Sequence, residues 1–199
     1  MRIIAGEHRG RRLVAPKGEG TRPTTDRVRE SLFSALASAR GGFEGAVVLD
    51  AFAGSGALSL EALSRGAAFA CLCERAASAS KVIAQNVETL GLDGRRARVV
   101  RGDVLKASVP RPPASAGIEG YDLVFLDPPY ALAAEDVLGF AASLDERGLL
   151  QREALVVYEH DSADAAAVDA ALERSLVPRG FALATRRAAG STTVDILRR

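Results

Sequence analysis

A chain of 199 residues that is 48% hydrophobic and 26% charged can bury one large core, alone or with a small appendage, and lies outside the disordered class. Its net charge of +1 excludes a uniformly basic or acidic protein, and no apolar run approaches the ~20 residues needed to span a bilayer. The apolar stretch in "MRIIAGEHRGRR" is too short for a secretory leader, so the expected location is the cytoplasm, with no membrane partner.

The distribution of charge says more than its sum. Residues 1–30 hold eight of the 26 Lys and Arg against four of the 25 acids, leaving 18 basic and 21 acidic residues in the rest. Basic charge gathered at one end suits phosphate contact, or is simply a solvated basic arm.

Taken in chain order, "RIIA" and "RLVAP" read as two short strands around "GEHRGR", a hairpin with basic residues at its tip. Thr24 or Thr25 can cap a helix in which Val28, Leu32, Phe33, Leu36 and Ala39 recur at helical spacing, stopped by Gly41-Gly42. Strands and helices then alternate. "AVVLDAF" is followed by the helical "SGALSLEALSRG", and "AAFACLCE" by "ASASKVIAQNVETLGL". "RARVVRGD" leads through a weak helix and the loop "PRPPASAGIEG" to "YDLVFLD". The helix "AAEDVLGFAASLDERG" and the strand "EALVVYEH" come next, then an Ala-rich region at 162–178 without a clear pattern. Strands near 181–187 and 192–198 close the chain as a hairpin. Such alternation predicts a mainly parallel α/β sheet with an antiparallel strand from the terminal hairpin. The one plausible boundary lies near Gly41-Gly42, separating residues 1–41 from 42–199.

The first strand runs into a glycine-rich turn, "VLDAFAGSGALSLEAL". Ligands of open α/β sheets bind at the carboxyl ends of the strands, and Gly54 and Gly56 allow the backbone to approach one closely. The dinucleotide fingerprint GxGxxG needs a third glycine at position 59, where the chain has Ser59. Asp50, just ahead of the turn, would be a poor neighbour for a pyrophosphate. It suits a cation, and S-adenosylmethionine carries an ammonium and a sulfonium. Glu74 ends the second strand, where an acid can accept from both ribose hydroxyls. Asp103 ends the third, where it can receive the adenine amino group. The motifs of P-loops, zinc proteases and nucleophile-elbow hydrolases do not occur, and no metal site is expected. Cys71 and Cys73 are too close for a favourable disulfide and read as buried core thiols. His8 and His160 are isolated and read as ordinary surface or strand-end histidines.

The fourth strand ends in "LDPPY". Asp127 can accept a hydrogen bond from an N–H group. Pro128 and Pro129 fix φ and remove two donors, so backbone carbonyls dominate the turn. The result is an acceptor-only cradle for an amino group, and Tyr130 offers a face for base stacking worth ~1–3 kcal/mol. An exocyclic amine is a poor nucleophile because its lone pair is delocalised. Two acceptors on its hydrogens favour the pyramidal form, and a positioned reactant pair supplies the rest.

At this point a resemblance is visible. "DPPY" is similar to the catalytic tetrapeptide of amino-group methyltransferases acting on adenine, cytosine or guanine. "RIIAGEHRGRRLVAP", "RPTTDRVRESLF", "LDAFAGSGALSLEALSRGA" and "DLVFLDPPY" together resemble a narrower bacterial family that methylates N2 of one guanine in 16S ribosomal RNA, the guanine 966 type. The resemblance implies a Rossmann-like methyltransferase fold, with a seven-stranded sheet and an N-terminal β-hairpin extension. It implies S-adenosylmethionine as methyl donor, with S-adenosylhomocysteine as product. The implied cofactor residues are Thr24, Thr25, Arg27, Asp50, Phe52, Ala53, Gly54, Ser55, Gly56, Glu74, Arg75, Asp103, Val104 and Asp127, with Arg29 a weaker candidate. Asp127, Pro128, Pro129 and Tyr130 would engage the guanine amine. Arg9, Arg11, Arg12 and Arg22 would contact RNA. The implied partner is 16S rRNA in assembling 30S subunits with their ribosomal proteins, bound by a monomer without metal. The family pattern leads to expect Asn where Ser34 stands and Tyr-Gly where the chain reads Ala189-Gly190. A DNA adenine or cytosine amino methyltransferase is a rival reading, although 199 residues leave little room for its recognition domain. A non-catalytic RNA-binding module on the same fold is another.

Overall fold

A computed structural model describes residues 1–16, 26–117 and 119–199. Its centre is one seven-stranded sheet in the order β3-β2-β1-β4-β5-β7-β6. The strands are β1 (Val47–Asp50), β2 (Phe69–Glu74), β3 (Ala97–Arg101), β4 (Tyr121–Leu126), β5 (Leu150–Asp161), β6 (Ala182–Ala189) and β7 (Thr192–Arg198). The first five are mutually parallel, and β7 runs antiparallel between β5 and β6. This is the expected Rossmann-like α/β arrangement. The chain leaves β1 for β2 on one side and reaches β4 on the other, so the strand order reverses at β1. Ligands bind at such a switch point.

Helices cover both faces. α4 (Ala134–Glu146) and α5 (Ala165–Ser175) pack Val137, Phe140, Leu144, Val168 and Leu172 against Val47, Leu49, Cys71, Val124 and Leu126. The Ala-rich region without a clear pattern is therefore helical over Ala165–Ser175. On the other face, α1 (Asp26–Arg40), α2 (Ala57–Ser64) and α3 (Ala77–Thr89) cover Val48, Leu72, Leu123, Phe125 and Val157 with Phe33, Leu36, Leu60, Leu63 and Ile83. Strand alternation sends neighbouring residues to opposite layers. The weak helix expected after β3 is only a turn. Cys71 and Cys73 are free and buried with sulfurs 3.9 Å apart, as core thiols should be.

The N-terminal segment folds back on itself, but it is not a pair of regular strands. One antiparallel bridge joins Arg2 to Arg12, supported by Ile3 N–H to Arg11 O at 2.9 Å and Gly10 N–H to Ile3 O at 2.9 Å. The next two amides point elsewhere. Ile4 and Ala5 donate to the two carboxylate oxygens of Glu61 at 2.7 and 3.0 Å. Glu61 is fully buried and also receives Arg65 Nε at 2.7 Å. Gly6 packs so closely on α2 that a Cβ there would meet Ser64 O at 1.8 Å. Ile3 and Leu13 join the same core layer as Phe33 and Val48. The Glu61 carboxylate thus ties the hairpin to α2, with Ser64 of α2 and Asn86 of α3 as further anchors. Glu61→Ala leaves two partly buried amides and a guanidinium without their acceptor, and should cost roughly 2–4 kcal/mol in denaturant unfolding. The amides of Ile4 and Ala5 should then exchange faster with solvent, and unchanged exchange there would contradict the pinning role.

Candidate active site

The residues singled out in the sequence converge on the carboxyl edge of β1, β2 and β4. Gly54 has φ 54° with open space where a Cβ would be, and its N–H donates to Glu74 Oε2 at 2.9 Å. Glu74 Oε1 accepts from Ala76 N at 2.7 Å. Glu74 therefore ties the glycine turn to the end of β2. Gly56 has φ 80°, and a Cβ there would lie 3.0 Å from Leu72. It is needed both for its left-handed backbone and for the close seat of α2 on β2.

Asp50 is buried, and its Oδ2 accepts from Ser59 Oγ at 3.0 Å. Ser59, the residue that breaks the dinucleotide fingerprint, thus holds this carboxylate. Asp50 Oδ1 is buried with no partner among the described residues. Burial, with the charges of Asp127 and Glu74 added, pushes the Asp50 carboxyl up to about 7 against the hydrogen bond from Ser59. An acid in that condition favours a cation or an N–H donor beside it.

Several other expected cofactor residues lie on the turns at this edge. Ala53 N–H donates to Cys73 O at 2.9 Å, and Phe52 packs on the core beside it. Ser55 Oγ lies 3.2 Å from Met1 Sδ, and Ser55 O accepts from Asn86 Nδ2 at 2.9 Å. Asp103, just past β3, accepts from Leu105 N at 3.1 Å, and its other oxygen lies 4.0 Å from Arg75 Nη1. Val104 next to it is buried. Arg27 is exposed on the first turn of α1. Arg29 is buried instead, bonded to Arg2 O at 2.6 Å and Asp26 Oδ1 at 2.9 Å. It ties α1 to the hairpin. Thr24, Thr25 and Arg22 lie outside the described residues.

Asp127 follows β4 and is partly buried, and that burial raises its carboxyl to about 6. Pro128 is buried, whereas Pro129 and Tyr130 are exposed. The carbonyl of Pro129 already accepts from Leu132 N at 3.0 Å, so the acceptor cradle rests mainly on Asp127 and the Pro128 carbonyl. Tyr130 is 49% exposed, and its hydroxyl lies 3.2 Å from Thr192 Oγ1 at the start of β7. The aromatic face is thereby fixed and open to solvent.

The basic hairpin tip lies elsewhere. Glu7 and His8 bond to Ser64, at the last residue of α2. That end of the helix faces the amino edge of the sheet, ~12 Å along the helix from the glycine turn at 1.5 Å per residue. Arg9 is exposed at that tip, away from Asp127. The exposed Arg12 instead bridges Arg2 at the base of the hairpin, next to Met1, whose sulfur lies 3.2 Å from Ser55 Oγ on the glycine turn. Arg11 is exposed between them.

Sequence reasoning missed two features. Glu159, partly buried at the end of β5, faces Asp127, and its carboxyl is raised to about 7 by burial and then by the Asp127 charge. The sequence does carry a signal for it, an acid at a strand end in "VVYEH". The second is the setting of His160, which stands at that strand end as one of its two expected places, but is buried there with Asp195 as partner at 3.3 Å. Among the described residues no group of three or more His, Cys, Asp or Glu is placed to hold a metal ion, and no helix is long and apolar enough to cross a membrane.

The family described as conserved hypothetical protein 95 matches residues 1–197. The chain is 37% identical over 202 residues to ribosomal RNA small subunit methyltransferase D of Escherichia coli strain K12, covering 100% of this chain and 90% of that protein. Among solved structures it is similar to the Escherichia coli protein yhhF, named as a methyltransferase. That match has a TM-score of 0.76 and 36% identity over 100% of this chain and 97% of the other. A hypothetical protein of Thermus thermophilus matches with a TM-score of 0.70 and 31% identity over 98% of each chain.

Proposed function

The chain belongs to the conserved hypothetical protein 95 family, alongside ribosomal RNA small subunit methyltransferase D, and from that membership we propose that it methylates the N2 amine of a guanine in 16S rRNA. The observation that carries this reading is the acidic edge itself. Asp50, Glu74 and Asp127 gather beside an open glycine turn, and Asp50 keeps a buried oxygen without a donor.

S-adenosylmethionine fits that edge. The unpartnered Asp50 oxygen suits its ammonium, Glu74 has lone pairs left for ribose hydroxyls, and Asp103 can receive the adenine amine. Phe52, Ala53, Ser55, Gly56, Arg75 and Val104 complete the proposed surround, with Arg27 at its margin. The bound cofactor would supply an activated methyl group on a sulfonium. The chain's own work is on the other reactant. Asp127 and the Pro128 carbonyl accept the hydrogens of the target amine, localise its lone pair and stabilise positive charge as it develops there. Tyr130 stacks the base, which must leave its helix to arrive. Pro128 and Pro129 keep the turn stiff, so little order is lost on binding.

The proposed substrate is 16S rRNA within the assembling small subunit, met in the cytoplasm by a monomer. Residues 1–41 act as an extension of the catalytic domain, residues 42–199, and Arg9, Arg11, Arg12 and Arg22 contact RNA phosphates. The distance of the hairpin tip from Asp127 implies that the RNA is held at two separated points.

A labelled-methyl assay tests the whole reading. Small subunits from a strain lacking this activity should accept one methyl group at guanine N2 of 16S rRNA. Label in DNA, or at no ribosomal guanine, would overturn the assignment.

A further inference from the structure

The tetrapeptide at Asp127 serves amines of three different bases, so something else must choose among them. β4 and β5 are parallel neighbours with Leu126 opposite Tyr158, so the next residues lie side by side, Asp127 just past β4 and Glu159 still within β5. Alternation turns both away from the layer of Leu126 and Tyr158 and toward that of Phe125 and Val157. Asp50 belongs to the same face on the next strand, opposite Phe125 in register, with one oxygen buried and unpartnered. Thr192, which fixes Tyr130, stands opposite Asp161 on β7, two residues beyond the Glu159–Val194 pair and on that same face. Tyr130 therefore reaches from the turn after Asp127 across the end of β5 toward β7, so Glu159 and Tyr130 both border the space on the β5 side of Asp127.

Among the described residues no donor reaches the carboxylate of Asp127 or of Glu159. Two adjacent carboxylates, each partly removed from water and each without a donor, are costly unless a ligand brings the donors. The hydrogen-bonding edge of guanine carries two donors side by side, N1–H and the N2 amine. Adenine and cytosine present, next to their amines, a ring nitrogen that only accepts.

Building on the guanine-N2 reading above, we propose that Glu159 is the specificity-determining residue of the site, its carboxylate accepting N1–H of the target guanine while Asp127 accepts from the N2 amine. A carboxylate there faces a lone pair in the wrong bases, so Glu159 rejects as well as selects. Holding N1–H on an anion also pushes electron density into the ring and toward N2, with no proton leaving N1.

The test uses full-length protein and small subunits reconstituted around 16S rRNA ligated to carry either guanine or 2,6-diaminopurine at the target position. The analogue keeps the 2-amino group but has an acceptor at N1. The unaltered chain should prefer guanine by about 100-fold or more in kcat/KM, as expected of a site built around a substrate N–H. Glu159→Gln, whose amide can donate, should lose about 100-fold on guanine and bring the two bases within a few-fold of each other. Glu159→Ala should lose guanine activity without gaining the analogue. Calorimetric S-adenosylmethionine affinity should stay nearly constant in both variants, and the thermal midpoint of Glu159→Gln at neutral pH should not fall, since a partly buried carboxylate without a donor has been removed. If Glu159→Gln slows both bases equally and the preference survives, Glu159 does not read N1. Failure of the unaltered chain to label either base would instead overturn the guanine-N2 reading itself.

Discussion

Asp127→Ala is expected to lower kcat about 1,000-fold or more while S-adenosylmethionine affinity stays within a few-fold. The size follows from what Asp127 does. It holds the reacting amine and meets the charge that develops there, and deletion of such a group typically costs 100- to 10,000-fold. The cofactor should be indifferent, because its proposed contacts are with Asp50, Glu74 and Asp103. Single-turnover kinetics with calorimetry separates the two quantities, and a large loss of cofactor affinity would contradict the role. A pH profile gives a second readout. The carboxylate is useful only when ionised, and burial raises it to about 6, with Asp50 near 7 beside it. kcat/KM should therefore fall as pH drops from about 7 through 6, whereas an unshifted carboxylate would hold its activity to near 4. The acid limb belongs to the group as a set, since neighbouring carboxylates titrate together.

Asp50→Asn should move stability and ligand binding in opposite directions. In the unfolded chain Asp50 ionises near its ordinary 3.8, but in the folded protein it holds its proton to about 7. The folded state therefore binds more protons between those values, and stability falls as pH rises through that window. Below about 4 both states are protonated and the penalty vanishes. At pH 8 it is fully present, a few kcal/mol on the usual conversion of pKa shift to free energy. Asparagine cannot ionise and keeps an oxygen for Ser59. The variant should melt roughly 5–10 °C higher than the parent at pH 8, with the gap closing at pH 4. S-adenosylmethionine affinity at pH 8 should fall about 10-fold or more, because the carboxylate that faces its ammonium is gone. A variant that is no more stable at pH 8, or that binds the cofactor normally, would show that Asp50 is not held there for a cation.

These two carboxylates share a physical origin. Asp50 and Asp127 end neighbouring parallel strands whose apolar residues are buried on both faces. The sheet places the acids where water is scarce and other acids are near. Such an edge costs stability in the free protein and gains most from a positively charged ligand. The same logic makes Glu61 different. It is equally buried, but it meets two amides and a guanidinium, so it stabilises the fold and has no spare capacity for a ligand.

The sequence alone determined the order of the strands, and of the helices except α5 and the turn after β3, because period-two apolar runs and glycine stops are local signals that burial enforces. It determined the acids at the ends of β1, β2 and β4 for the same reason, since a carboxylate at the end of a buried run is legible without coordinates. Tertiary structure decided the rest. Ile4 and Ala5 donate to Glu61, 56 or more residues away, and this replaces most of an N-terminal ladder that local pattern leads one to expect. The same docking carries Arg9 to the edge of the sheet opposite Asp127. Glu159 joins the site only through the β4–β5 register, and Asp50, whose one oxygen accepts from Ser59 of α2, keeps its other oxygen buried without a donor among the described residues. Residue type and spacing report which face a side chain takes. They do not report which distant group it meets there, and that pairing sets both the charge state of these acids and the base they can select.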